Sequence, residues 1–400
     1  MDTTGVAIAS ESGPRPVPAT SKFRPDVQGL RALAVTLVIV DHAGVDHFAG
    51  GFIGVDVFFV ISGFVITQSL IDLGPGHLGA HLRTFYGRRI RRIVPAASLA
   101  LIGTLVGALV FLHGSFPPLL IGDVRWASVF AENIRLTSTS ANYFIPGLTP
   151  SLVTQFWSLA VEEQFYLLYP LLVLGTMTLA PQRWRRHAVR TVLVIGVVLS
   201  AWWSWRASVA DPLSSYYSLF TRFWELALGG LVALWPDAWR CRSRRLAVMV
   251  ALVALGVLAA ATARFTSQSV YPGVMAWWPC AATAALLWSG DGAARGPYSW
   301  LASRPARYVG DLSYSLYLWH FVWLVLPTYL SPAEQSPLAR TGEVAGACVC
   351  AILSYHLVEN PIRRSRRLRA DALATFLVLV ICVAATWDAT FIIARLLPGA

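Results

Sequence analysis

The sequence predicts an all-α, polytopic membrane protein of about eleven transmembrane helices in one bundle, with the N-terminus inside and the C-terminus outside. Three observations carry this. Apolar residues make up 56% of the 400-residue chain and charged residues 13%, about half the roughly 25% charged share of a soluble domain. The apolar residues gather in runs near the roughly 20 residues a bilayer demands of a helix. The basic residues alternate from connection to connection: 25 of the 32 Lys+Arg lie on one set of alternate connections, which the positive-inside rule assigns to the cytoplasm.

Taken in order, residues 1–22 carry Pro, Ser and Thr with no apolar period and read as a disordered cytoplasmic tail. They are not a signal peptide, because the apolar run that follows holds no small-residue cleavage site. The predicted spans are 28–45, 51–71, 93–112, 156–178, 188–207, 217–235, 246–263, 272–289, 311–330, 343–358 and 372–394. The stretch 119–134 is apolar but too short and interrupted to cross a bilayer. Residues 113–155 form a long outer segment rich in Ser, Thr, Asn and Pro, and the connection 72–92 ends at the inner surface in Phe85-Tyr86-Gly87-Arg88-Arg89-Ile90-Arg91-Arg92. Sixteen Trp among 12% aromatics suit a protein with two water–lipid belts. No internal repeat, heptad or phosphate-binding glycine loop is present.

The charge excludes one class and orients another. Net charge +11 could point to nucleic acid, but the basic residues lie between apolar runs rather than on one face. The five Cys, Cys241, Cys280, Cys348, Cys350 and Cys382, lack metal-ligand spacing and read as small apolar fillers. His77 and His81 have i, i+4 metal spacing, but Gly76 and Gly79 argue against a helix there, so no metal is expected.

Ionisable side chains inside hydrocarbon are costly and mark candidate sites. Counted at about 1.5 Å per residue, His42 lies roughly 21 Å above the inner boundary, Asp56 roughly 22 Å, Glu162 roughly 21 Å and His320 near 14 Å. One His and two carboxylates thus share a level near the outer face. Arg31 and His42, eleven residues apart, share one face of the first span. Ser313, Tyr317 and His320 follow i, i+4, i+7 and form one polar stripe leading from the inner surface. Each has a plainer reading. An intramembrane His also serves to hydrogen-bond a neighbouring helix, Asp56 and Glu162 could pair with buried Arg or Trp N–H groups, and Arg88–Arg92 could be an ordinary topology anchor. Arg222 and Glu225 are an i, i+3 pair that neutralise each other.

At these residues the chain resembles the acyltransferase-3 family, integral membrane enzymes that O-acylate carbohydrates and related acceptors. The resemblance covers about residues 23–364. It rests on Phe23-Arg24-Pro25-Asp26-Val27-Gln28-Gly29-Leu30-Arg31, with His42 eleven residues on; on Gly51-Phe52-Ile53-Gly54-Val55-Asp56-Val57-Phe58-Phe59; and on Arg89 and Arg92 ahead of Pro95. Trp157-Ser158-Leu159-Ala160-Val161-Glu162-Glu163-Gln164-Phe165-Tyr166, Ser313-Tyr314-Ser315-Leu316-Tyr317-Leu318-Trp319-His320 and Glu359-Asn360-Pro361-Ile362-Arg363 complete it. Two features depart from it. Many relatives carry His where this chain has Gln155, and many long relatives continue past an eleventh span into an external hydrolase-like domain. Residues 365–400 here hold the extra span and a short tail, which implies a separate external partner or a longer parent chain.

The resemblance implies a multi-pass protein of the bacterial plasma membrane, with no permanent cofactor. It implies acyl-coenzyme A, acetyl-CoA above all, as the donor and a carbohydrate, glycolipid or other hydroxyl compound as the acceptor. Arg89 and Arg92, with Arg31, would hold the donor phosphates, and Ser313, Tyr317 and His320 would line its path. His42 would act as general base or acyl carrier, with Asp56 or Glu162 orienting it. The alternative from a different class is a transporter or flippase with intramembrane carboxylates and an Arg-lined mouth; the absence of inverted repeats and the one-sided Arg-x-x-Arg weigh against it.

Overall fold

A computed structural model of the chain describes residues 24–73, 77–112, 115–139, 149–236, 241, 243–293, 297–331 and 335–397. The predicted tail 1–22 and parts of the outer segment lie outside the described residues. Among the described residues there is no strand; the helices are α1 (Pro25–His42), α2 (Gly54–Ile71), α3 (Leu78–Leu112), α4 (Leu120–Ser128), α5 (Glu132–Ser138), α6 (Phe156–Leu179), α7 (Arg185–Ala210) and α8 (Pro212–Tyr217). They continue with α9 (Leu219–Ala233), α10 (Arg244–Arg264), α11 (Trp277–Ala293), α12 (Arg304–Leu330), α13 (Pro337–Ser354), α14 (Asn360–Arg364), α15 (Arg366–Ala370) and α16 (Ala372–Leu396). Each predicted span coincides with one of the longer helices. Six helical stretches are long and apolar enough to cross a membrane by length and composition: 51–71, 78–112, 182–210, 244–264, 337–370 and 372–396.

Local chemistry sets the ends. Pro25 opens α1, with Asp26 in its first turn, where fixed φ and negative charge both favour a helix start. Ser303 caps α12, accepting from Ala306 N–H at 3.4 Å, with Pro305 in the first turn. Asp371 caps α16 through Leu373 N–H at 2.8 Å and Ala374 N–H at 3.1 Å. Such side-chain acceptors satisfy orphan donors of the first turn.

Several expected boundaries shift. The run Phe85–Arg92, expected in a connection, belongs to α3, so Arg89 and Arg92 are i, i+3 neighbours on one helix face. The helix also includes Gly79 and His81, against the expectation that the nearby glycines would prevent one; Gly79 sits exposed in the first turn, and the long run that follows outweighs the modest cost of Gly in a helix. α12 begins at Arg304 rather than 311. Between α13 and α14 lies a π-helical turn, Tyr355–Glu359.

α1 packs on α2 and α12, α2 on α9, α9 on α7, α12 on α13, and α16 lies against α3 and α4. Close approach of α2 and α9 depends on glycine. A Cβ at Gly63 would overlap the Leu226 carbonyl, and one at Gly229 the Val60 carbonyl. Small residues give membrane helices this backbone contact. α1, α2, α3, α6 and α12 surround the polar interior described next.

Candidate functional site

A narrow cavity of about 80 Å³ lies between these five helices, and its walls include Arg31, Arg89, Arg92, Glu162, Ser313 and Tyr317. In the sequence these six residues lie on three separate predicted spans and one connection. Arg89 and Arg92 also line a wider opening of about 1090 Å³, together with Arg88, Arg363 and Arg369. The two spaces therefore meet at the Arg89–Arg92 face of α3. The mouth is built from both ends of the chain: Arg91 donates to Leu368 O at 3.1 Å and to Thr375 Oγ1 at 3.0 Å, which ties α3 to the stretch carrying Arg363 and Arg369.

Inside the cavity, Glu162 accepts hydrogen bonds from Ser62 Oγ and Tyr166 OH. Arg89 lies over the Tyr166 ring, 4.8 Å from its centroid, a favourable cation–π arrangement. The Ser313 hydroxyl is buried with no protein partner, a cost that a ligand's polar group can remove. Tyr317 OH lies 2.6 Å from Ser158 Oγ and donates to Gln155 O at 3.1 Å. Gln155 itself is buried; its Nε2 donates to Leu318 O at 3.3 Å, and its Oε1 has no partner.

Beyond Tyr317 stand the two histidines. The Tyr317 and His320 rings are 5.4 Å apart between centroids, and His320 Nε2 lies 3.0 Å from His42 Nδ1. His320 is fully buried. The His42 ring stacks on His320, with centroids 5.1 Å apart and planes 28° from parallel, and meets Phe321 edge-on at 5.1 Å.

This arrangement corrects the depth assignments. His320 was expected about 7 Å below His42, yet they share a hydrogen bond. Recounted from the observed starts of α1 and α12, His42 is 17 residues up and His320 is 16, about 25 and 24 Å. Glu162 was expected beside His42 and instead borders the cavity with Arg89 and Arg92. The cause is that Leu152, Val153, Thr154, Gln155 and Phe156 are all buried, so α6 starts well inside the bundle and its residues lie deeper than a surface start implies. Asp56 was expected to orient His42. Instead it receives Arg222 Nη1 at 3.0 Å, and the same nitrogen reaches Glu225 Oε1 at 2.9 Å. The Arg222–Glu225 pair expected from spacing is thus present, with Asp56 as a third member. Arg222 is further enclosed by Tyr216, Tyr271 and Trp157 at 4.9, 5.2 and 5.6 Å from their ring centroids.

Donor atoms of Asp56, Glu225 and Cys280 lie within 4.8 Å of one another. The Arg222 guanidinium already sits on both carboxylates, and its charge opposes a metal ion there.

Glu359 joins the site without being marked by depth or spacing in the sequence. Glu359 is buried on the π-turn and accepts from Ser315 Oγ at 2.9 Å, beside Arg363 at 3.9 Å. π-turns inside helices recur at functional sites, and the Glu359-Asn360-Pro361 break was the visible signal.

The molecule is therefore an all-α, multi-pass membrane bundle with an arginine-rich opening leading to a polar interior. The acyltransferase domain family matches residues 24–387, and the chain belongs to this acyltransferase-3 family. It is 34% identical to the putative peptidoglycan O-acetyltransferase YrhL of Bacillus subtilis, over 86% of this chain and 55% of that protein. It is 32% identical to the peptidoglycan O-acetyltransferase OatA of Listeria monocytogenes, over 86% of this chain and 56% of that protein. It is 29% identical to the O-acetyltransferase OatA of Staphylococcus aureus, over 86% and 58%. The chain thus spans a little over half the length of these curated relatives. No solved structure gives a significant match.

Proposed function

We propose that this protein is an O-acetyltransferase of the bacterial plasma membrane that takes an acetyl group from acetyl-CoA at its inner face and delivers it to a hydroxyl of an envelope glycan. Peptidoglycan is the first acceptor to try, on the names of the relatives. One observation carries the reading: an unbroken sequence of polar residues from the Arg89–Arg92 mouth, through the cavity at Ser313 and Tyr317, to His320 and His42.

Arg89 and Arg92, with Arg363 and Arg369 across the mouth, hold the phosphates by charge-assisted bonds whose planar forks match phosphate oxygens. Arg31 and Ser313 receive the arm that follows, and the thioester reaches His42. His42 accepts the acceptor's hydroxyl proton as that oxygen bonds to the thioester carbonyl carbon. The C–S bond then breaks, and the proton held by His42 passes to the departing thiolate. The acetyl ester and free coenzyme A are the products, and His42 returns neutral. The apolar walls limit water and with it hydrolysis of the thioester.

The test is release of free coenzyme A from acetyl-CoA by the purified protein in lipid nanodiscs, with and without peptidoglycan fragments, and mass spectrometry of the fragments. Acceptor-dependent release with a gain of one acetyl supports the reading. His42→Ala should lower that rate by about two to four decades. Equal release from parent and variant would sink it.

A further inference from the structure

We propose that His320 is a positioning residue that fixes the tautomer of His42, holding the proton on His42 Nδ1 so that Nε2 carries the lone pair used as the base. This rests on the reading of His42 as general base and adds the group that prepares it.

One line of hydrogen bonds runs from Leu316 through His320 to His42. His320 Nδ1 lies 3.1 Å from Leu316 O. A carbonyl oxygen can only accept, so Nδ1 of His320 carries hydrogen. In a neutral imidazole the other nitrogen is then an acceptor. His320 has no exposed surface, and burial among helices disfavours the charged form. His320 Nε2 therefore presents a lone pair to His42 Nδ1 at 3.0 Å. Two lone pairs cannot face each other at that distance, so Nδ1 of His42 is the protonated one and Nε2 is not. Neutral histidine in water prefers the opposite tautomer, with hydrogen on Nε2, so His42 without His320 reverts to a form that cannot take a proton at that atom.

The surroundings hold the pair in register. Leu316 lies one helical turn before His320 on α12, so the anchoring carbonyl is set by the helix itself. Phe321 packs edge-on against His42 at 5.1 Å, and the Tyr317 ring lies 5.4 Å from His320. When His42 Nε2 takes the acceptor's proton, its Nδ1–H remains directed at His320 Nε2, which spreads the new charge. The role parallels that of the carboxylate in a Ser-His-Asp triad. A neutral imidazole stabilises the imidazolium less than a carboxylate does, so His42 gives the proton up readily to the leaving thiolate.

The test uses full-length protein in nanodiscs with ¹⁵N-labelled histidine, the His42 signals being assigned by their loss in His42→Ala. The parent should show His42 protonated at Nδ1. In His320→Leu the pattern should invert to Nε2–H, and kcat should fall about 100-fold while KM for acetyl-CoA stays within about twofold. His320→Gln, whose amide oxygen accepts the Nδ1–H, should restore the parental pattern and most of kcat. His320→Phe replaces the Leu variant if that one does not fold. A parental tautomer in both apolar variants overturns the proposal, as does a Gln variant with the parental tautomer and the rate of the Leu variant. Either result leaves His42 as base. Near-parent turnover in His42→Ala removes the base reading instead, whatever the tautomer.

Discussion

Arg222 bonds Asp56 and Glu225 through a single guanidinium nitrogen at 3.0 and 2.9 Å, and all three side chains are buried. The two carboxylates share one guanidinium, so the three residues stand or fall together. Arg222→Leu should destabilise the protein by about 3–5 kcal/mol, because two buried carboxylates lose their cation. Asp56→Asn should cost far less, since Glu225 still offsets Arg222. Thermal unfolding of the detergent-solubilised variants measures both, and per-molecule turnover of folded Asp56→Asn should stay near parent. A dead but fully stable Asp56→Asn returns Asp56 to the reaction. At the mouth, Arg89→Ala and Arg92→Ala should each weaken coenzyme A binding by about 1.5–3 kcal/mol with the fold intact. Lys at either position should rescue only in part, lacking the bidentate fork. Calorimetric titration with coenzyme A decides, and unchanged affinity in the double Ala variant makes the cluster a topology anchor alone.

Between elements, glycine and the segment joining α3 to α6 set the constraints. Gly63→Ala drives a methyl into the Leu226 carbonyl across the α2–α9 contact, where backbone cannot yield as a side chain would. The helices must separate, costing about 1–3 kcal/mol by overpacking alone; a lower melting temperature and reduced monodisperse yield should follow, while Gly175→Ala, with open space around it, should change little. In the segment between α3 and α6, Glu132 is fully buried, and neither carboxylate oxygen has a partner. Burial first, and Asp123 second, push its carboxyl well above the usual carboxylate range, against Arg135. The folded state thus holds this proton more tightly than the unfolded chain. Its stabilising share is present below the ordinary carboxylate range near 4.3 and is lost as pH rises through the raised value. Glu132→Gln stays neutral throughout, so its stability relative to parent should grow with pH, by at most about 1.4 kcal/mol per unit. Melting curves at pH 5 and pH 8 check this; an equal offset at both contradicts a buried neutral carboxyl.

Across the whole molecule, the alternation of arginine assigns sides that a labelling experiment can read. Leu119 and Leu179 are both well exposed, at 57% and 88%, and the alternation puts them on opposite faces. In a background with the native cysteines replaced, Leu119→Cys should react with an impermeant maleimide in intact cells and Leu179→Cys only after lysis. The reverse pattern exchanges the donor and acceptor faces and with them the proposed direction of transfer.

The sequence by itself determined where helices lie and which residues deserved suspicion. Apolar run length and caps such as Ser303 and Asp371 act over a few residues, and the cost of burying Arg31, His42 or Glu162 is a property of each side chain alone. Tertiary structure decided the partnerships. Depth counted from an assumed surface start put Glu162 beside His42 and separated His42 from His320. The buried lead-in Leu152–Phe156 and the early start of α12 at Arg304 reversed both. Asp56 went to Arg222 because the close approaches of Gly63 to Leu226 and of Gly229 to Val60 draw α2 onto α9. Helix offset, tilt and rotation arise from packing among elements far apart in the chain, so residue spacing within one helix carries no record of them.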